Sequence, residues 1–297
     1  MDTSEIDAIR ALLAAKPRPV GWEERRLRIE EVGAAWPVAS DIALEAVDID
    51  GLSAEESVAP ESNPSRVLLF FHGGGYCSGS IISHRDMATE AGRAAGVRTL
   101  AVGYRLAPEH PFPAAMQDAL KAWRWLRRKG VAAEAIAVGG DSAGAGLTVA
   151  LWQELRRARE PQPACLWLVS PWTDLTMSGA SLETKNAVDP LIHKSYLEEL
   201  ANAYVPPGVD RKDPRVSPLY ADLRDMPPTL IQVGSAETLL DDSVRFAGAA
   251  GEADAPVTLQ IWPHMIHAFP LWNGRLTDGR RALMQMGEFL RARLRGI

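Results

Sequence analysis

Apolar positions along the chain follow two rhythms that alternate. Short β-branched or apolar runs occupy residues 66–72, 98–104, 135–139, 164–170, 229–234 and 257–262, each of strand length and apolar enough to be buried on both faces. Between them, apolar residues return every three or four positions over 83–95, 113–129, 143–159, 239–250 and 279–295, the period of helices with one buried face. Strand and helix in alternation predict a mostly parallel sheet with helices on both faces, since parallel neighbours need a crossover that a helix supplies. An earlier pair, 44–50 and 54–58, reads as an antiparallel hairpin turning at Asp50-Gly51, a dipeptide that accepts the positive φ of a tight turn. The expected fold is α/β with about eight strands.

Two segments break this rhythm. Residues 1–40 are helical in pattern and rich in charge, and 178–215, between two core strands, carries a helical pattern at 193–204 followed by Pro206-Pro207-Gly208. Long excursions between core strands are usually functional. Both segments are therefore expected to form a cap on a single domain spanning 1–297, with Trp22, Trp36 and 191–204 either shaping a pocket or packing.

Composition narrows the classes. With 297 residues, 46% of them hydrophobic, the chain can bury one large core. Acidic residues outnumber basic ones, 38 to 32, and no long block of like charge occurs, which argues against nucleic acid or an anionic membrane as partner. The basic stretch from Arg124 to Lys129 reads as the solvated end of a helix. No apolar window is long enough for a membrane span. The acidic start lacks the cationic and apolar regions of a signal peptide, and the two cysteines, Cys77 and Cys165, lack CxxC spacing; the expected compartment is cytoplasmic.

The chemistry begins at Gly140-Asp141-Ser142-Ala143-Gly144, between an apolar strand and a helix. In a strand-turn-helix elbow the serine sits on a sharp turn that pushes its hydroxyl out at the C-terminal edge of the sheet, and the flanking glycines avoid crowding. Ser142 is the candidate nucleophile. His72-Gly73-Gly74-Gly75 follows another apolar strand, an HGGG-type loop whose amides can approach a reacting carbonyl. The expected oxyanion donors are the N–H groups of Gly73, Gly74 and Ala143, each typically worth about 3 kcal/mol in the transition state. A phosphate loop would need a following Lys-Ser or Lys-Thr, which is absent. His72 is expected to brace the loop, Tyr76 to line the pocket or pack, and Cys77 to be structural, though open to testing with an alkylating reagent.

A serine nucleophile needs a base, and the base an orienting carboxylate. In this fold the chain order is serine, acid, histidine. Of six histidines only His264 and His267 follow the late strands; His267 is preferred, with His264 as competitor. The acid should follow the strand at 229–234, where Glu237, Asp241 and Asp242 lie. Glu237 comes first and is preferred, with Asp241 next and Asp174, after a different strand, as a further alternative. Glu109 and Asp141 are read as loop-bracing carboxylates.

Taken together, His72-Gly73-Gly74-Gly75, Tyr104-Arg105-Leu106-Ala107-Pro108-Glu109, Gly140 to Gly144, Ser170-Pro171-Trp172 and His267-Ala268-Phe269 resemble the hormone-sensitive-lipase-like (family IV) bacterial carboxylesterases of the α/β-hydrolase superfamily, over nearly the whole chain from residue 66. The resemblance implies an eight-stranded sheet with a helical cap, no cofactor or metal, hydrolysis of short acyl esters through a Ser142, His267, Glu237 triad, and commonly a homodimer, paired through the edge strand near 257–262. The family's acid segment is usually Asp-Pro-Leu-x-Asp; here it is Glu237-Thr238-Leu239-Leu240-Asp241, so one more methylene must be accommodated. A lactone or amide hydrolase would use the same triad. A non-catalytic hydrolase-like binding protein is the remaining alternative, though such proteins usually lack the histidine.

Overall fold

The computed structural model describes residues 3–17 and 19–294. Arg295, the last residue of the expected terminal helix, and residues 1, 2 and 18 of the expected cap lie outside them. The helices are α1 Ser4–Ala14, α2 Trp22–Ala34, α3 Ile81–Ala95, α4 Ala114–Arg128, α5 Ala143–Arg157, α6 Ser181–Thr184, α7 Lys194–Tyr204, α8 Leu240–Glu252 and α9 Thr277–Arg291. The strands are β1 Ala43–Ile49, β2 Leu52–Val58, β3 Asn63–Phe71, β4 Val97–Val102, β5 Ile136–Asp141, β6 Cys165–Val169, β7 Thr229–Gly234 and β8 Val257–Trp262.

All eight strands form one sheet in the order β1-β2-β4-β3-β5-β6-β7-β8. The β1–β2 hairpin closes at Ile49↔Leu52, with Asp50 and Gly51 at φ 51° and 87° as the dipeptide demands. β2 pairs antiparallel with β4, and every pair from β4 to β8 is parallel. β3 starts at Asn63, three residues before its apolar run, with a register shift between Asn63 and Val67. Pro64 has no N–H for the ladder, so the strand enters the sheet through an irregularity.

Alternation along β3 divides the core. Val67, Leu69 and Phe71 join Ala122, Trp123 and Leu126 of α4 and Leu151 and Leu155 of α5 on one face. Leu68 and Phe70 meet Met87 and Ala91 of α3 and Leu283, Met286 and Leu290 of α9 on the other. Each large side chain so buried contributes roughly 1.5–3 kcal/mol. The basic end of α4 is solvated as its sequence suggested: Arg124 pairs with Glu160 and Arg128 with Asp50.

The N-terminal helices diverge in position. Ile6 and Ile9 of α1 pack against Trp262, Phe269 and Trp272 beside β8, whereas α2 reaches α7 through a two-pronged contact from Arg25 to Glu199 at 2.8 and 2.7 Å. Trp22 and Tyr196 both face the Arg25 guanidinium. Trp36 stacks edge-on against Trp272. No helix among the described residues is long and apolar enough to cross a membrane.

Candidate active site

β5 ends at Asp141 and α5 begins at Ala143, so Ser142 alone makes the turn, at φ 55° and ψ −119°. A non-glycine residue held there costs about 1–3 kcal/mol and persists only where its surroundings enforce it. They do: the Ser142 N–H donates to the Val169 carbonyl at 2.8 Å, and the Ser142 carbonyl accepts from Trp172 N–H at 3.0 Å. The two flanking glycines are required by contact, because a Cβ on Gly140 would lie 2.4 Å from the Phe71 carbonyl oxygen and one on Gly144 2.0 Å from it. β3 and the elbow touch backbone to backbone.

The glycine loop after β3 turns toward this elbow. Tyr104 Oη donates to the His72 carbonyl at 2.7 Å, and the two rings stack at 4.2 Å. Burial drives the His72 imidazole down to about 3, so it is neutral and braces the loop. Asp141 Oδ1 accepts from Gly73 N–H at 3.0 Å, and its Oδ2 lies 3.3 Å from His84 Nε2. Burial raises the Asp141 carboxyl, but His84 and the neighbouring imidazoles outweigh it and leave the group below its ordinary range.

This corrects the expected oxyanion donors. Gly73 N–H already donates to the Asp141 carboxylate, so it has no hydrogen to offer a substrate. Among the described residues, the N–H groups of Gly74, Gly75 and Ala143 have no acceptor. Gly74 and Gly75 sit at φ 109° and 64°; a Cβ on Gly74 would strike the Ser78 carbonyl, and one on Gly75 the Leu200 side chain of α7.

At the end of β7, Glu237 is fully buried. Its Oε2 accepts from Gly234 N–H at 2.9 Å and Ser170 Oγ at 2.8 Å, leaving Oε1 3.1 Å from His267 Nδ1. The longer side chain is accommodated because its second oxygen folds back onto the end of its own strand. The loop carrying His267 is stitched to the acid loop by Ser235 N–H to the Trp262 carbonyl and Ala236 N–H to that of Met265. Burial alone would lower the His267 pKa, but the hydrogen bond and charge of Glu237, helped by Asp189 and Asp141, overcome it and raise the imidazole above its ordinary value.

The competing residues are engaged elsewhere. His264 is exposed, its backbone N–H on Ser235 Oγ and its carbonyl on Arg10. Asp241 accepts from Ser181 N–H at 2.9 Å, and Asp174 is ringed by Thr176, Ser178, Tyr220 and Arg245. Ser142 itself lies 5% exposed, beside Asp141, whose charge acts on His267. Its hydroxyl makes no hydrogen bond among the described residues; hydrogen bonds of a catalytic serine commonly tighten only around substrate.

Sequence reasoning missed Asp189 and noticed Asp242 only as one of three carboxylates after the strand at 229–234. Asp189 Oδ2 accepts from Thr238 N–H at 2.8 Å, one residue past Glu237, while its Oδ1 holds Leu191 and Ile192 N–H; the available signal was an aspartate before Pro190. Asp242, pushed up to about 7 by burial, accepts from Thr173 and Asp174 N–H. Among the described residues no cluster of side chains suits a metal ion.

A family profile described as alpha/beta hydrolase fold matches residues 68–271. The chain is 39% identical to an acetyl-hydrolase of Streptomyces hygroscopicus over 98% of its own length and 97% of that protein's. It is 33% identical to an ethyl acetate hydrolase of Pseudomonas putida, with 86% and 83% covered. The crystal structure of an esterase from the bacterial hormone-sensitive lipase family superposes with a TM-score of 0.95 at 39% identity, covering 99% of this chain and all of that one. With this fold, this elbow and these relatives, the chain belongs to the α/β-hydrolase family, in its hormone-sensitive-lipase-like branch of bacterial esterases.

Proposed function

We propose that the protein is a serine carboxylesterase for short-chain acyl esters, with Ser142 as nucleophile, His267 as general base and Glu237 as its orienting carboxylate. The observation that carries this reading is the Glu237 oxygen held 3.1 Å from His267 Nδ1 beside the Ser142 elbow. Relatives that hydrolyse acetyl groups and ethyl acetate support a small acyl group.

In the first half-reaction His267 Nε2 takes the Ser142 proton as the oxygen attacks the ester carbonyl. The N–H groups of Gly74, Gly75 and Ala143 receive the oxyanion, aided by the N-terminal dipole of α5. The imidazolium, stabilised by Glu237, returns its proton to the leaving alcohol. In the second half-reaction His267 takes a proton from water, which attacks the acyl-enzyme, and returns that proton to the Ser142 oxygen as the ester bond breaks and the acid leaves.

The cap in this reading is α2 with the 178–215 segment, joined through Arg25 and Glu199 and seated on the glycine loop by Leu200; α1 belongs to the body. The edge of β8, unpaired among the described residues and with Ile261 47% exposed, is the proposed homodimer contact. Two buried, free cysteines suit a cytoplasmic setting.

A p-nitrophenyl ester series from acetate to laurate tests the reading. We expect maximal kcat/KM between two and six acyl carbons, lost in Ser142→Ala. Preference for long chains, or turnover by Ser142→Ala near that of the wild type, would refute it.

A further inference from the structure

Ser170-Pro171-Trp172 follows β6, which lies between the strand of the nucleophile and the strand of the acid. The mechanism above uses none of its side chains. Yet its hydrogen bonds reach Ser142, Glu237 and Ala268, the residue next to His267. Val169, the last residue of β6, accepts from Ser142 N–H at 2.8 Å, and Trp172 N–H donates to the Ser142 carbonyl at 3.0 Å, so the elbow is gripped on both sides. Ser170 Oγ donates to Glu237 Oε2 at 2.8 Å and accepts from Ala268 N–H, next to His267, at 3.0 Å. Ser170 itself is held by its N–H on the Gln232 carbonyl of β7 at 2.8 Å.

We infer that this segment is the common anchor of the catalytic groups and that Ser170 is a positioning residue, whose one hydroxyl sets the distance between the acid and the loop of the base. The inference rests on the triad proposed above. A hydroxyl can donate once and accept at the same time. Both bonds are made here, in a fully buried position at φ 44°, a backbone conformation uncommon for serine. Glu237 Oε2 is fixed from two directions, by Gly234 N–H and Ser170 Oγ, so Oε1 is aimed. Ala268, also at positive φ (50°), directly follows His267 and opens the short 3-10 turn Phe269–Trp272. Without the hydroxyl the acid keeps one anchor, the Ala268 N–H is left buried without a partner, and the imidazole loses its fixed orientation.

The test is a kinetic double-mutant cycle with p-nitrophenyl acetate. Ser170→Ala should lower kcat by about 10–100-fold with KM within about twofold. Ser170→Gly, whose backbone accepts φ 44° without strain, should lose as much, which separates loss of the hydroxyl from misfolding. In a Glu237→Gln background, removing the Ser170 hydroxyl should cost less than about threefold more, because its effect runs through Glu237. Full kcat in both single variants, or losses that simply multiply in the double variant, would overturn the inference. In the wild-type protein the Ala268 amide should exchange slowly with deuterium, and fast exchange would contradict it whatever the variants do. An inactive wild-type enzyme would refute the esterase reading itself, a different outcome from an active enzyme indifferent to Ser170.

Discussion

The loops after β6 and β7 each bury a carboxylate completely, and they use it in opposite ways. Asp174, after β6, has both oxygens engaged by Thr176, Ser178, Tyr220 and Arg245. Glu237, after β7, has one oxygen fixed by Gly234 and Ser170 and the other, among the described residues, facing His267 alone. The glycine loop repeats the contrast, Gly73 N–H being held by Asp141 while Gly74 and Gly75 N–H have no acceptor among the described residues. Groups whose hydrogen-bonding capacity is complete hold the fold together; those with capacity left over point to where the chemistry occurs.

The largest effect expected from this contrast is on turnover. Glu237→Gln should lower kcat by about 10³-fold or more, since the imidazole loses its orienting charge, while thermal stability changes little. Its pH profile sharpens the point. His267 must be neutral to accept a proton, and its raised pKa puts the acid limb of kcat/KM above the ordinary imidazole value. Removing the Glu237 charge should move that limb to lower pH; an unmoved limb would mean that Glu237 does not face the base. Asp141→Ala frees Gly73 N–H and loosens the glycine loop, and should lower kcat about tenfold, less than loss of a direct oxyanion donor. Asp174→Asn should do the reverse of Glu237→Gln, costing about 2 kcal/mol by chemical denaturation, Arg245 being partly exposed, with kcat within about threefold. A large fall in kcat with stability intact would erase the distinction between the two carboxylates. The smallest effect belongs to Cys77, whose thiol burial pushes up to about 12; activity after iodoacetamide should stay within about twofold of the untreated enzyme.

The parts legible from sequence were those governed by local rules. β7 and β8 have the boundaries their apolar runs suggested, and the hairpin turns at Asp50-Gly51. The elbow was visible because backbone contact with β3 permits only glycine at 140 and 144. Glu237 and His267 could be chosen by chain order, and the structure sets them side by side. What stayed hidden depends on partners distant in sequence. That Gly73 N–H is engaged depends on Asp141, 68 residues away. The divergence of α1 from α2 depends on Trp262 and Phe269 in one case and Glu199 in the other. Ser170 was conspicuous only as part of a motif, since its bonds cross to two other loops.

Covalent labelling tests the central claim most directly: incubate the protein with a fluorophosphonate, measure its intact mass, and map the adduct by peptide sequencing. The account predicts a single adduct on Ser142, absent from Ser142→Ala and formed far more slowly in Glu237→Gln. No adduct on the folded wild-type protein, or an adduct at another residue with Ser142 unmodified, would contradict it.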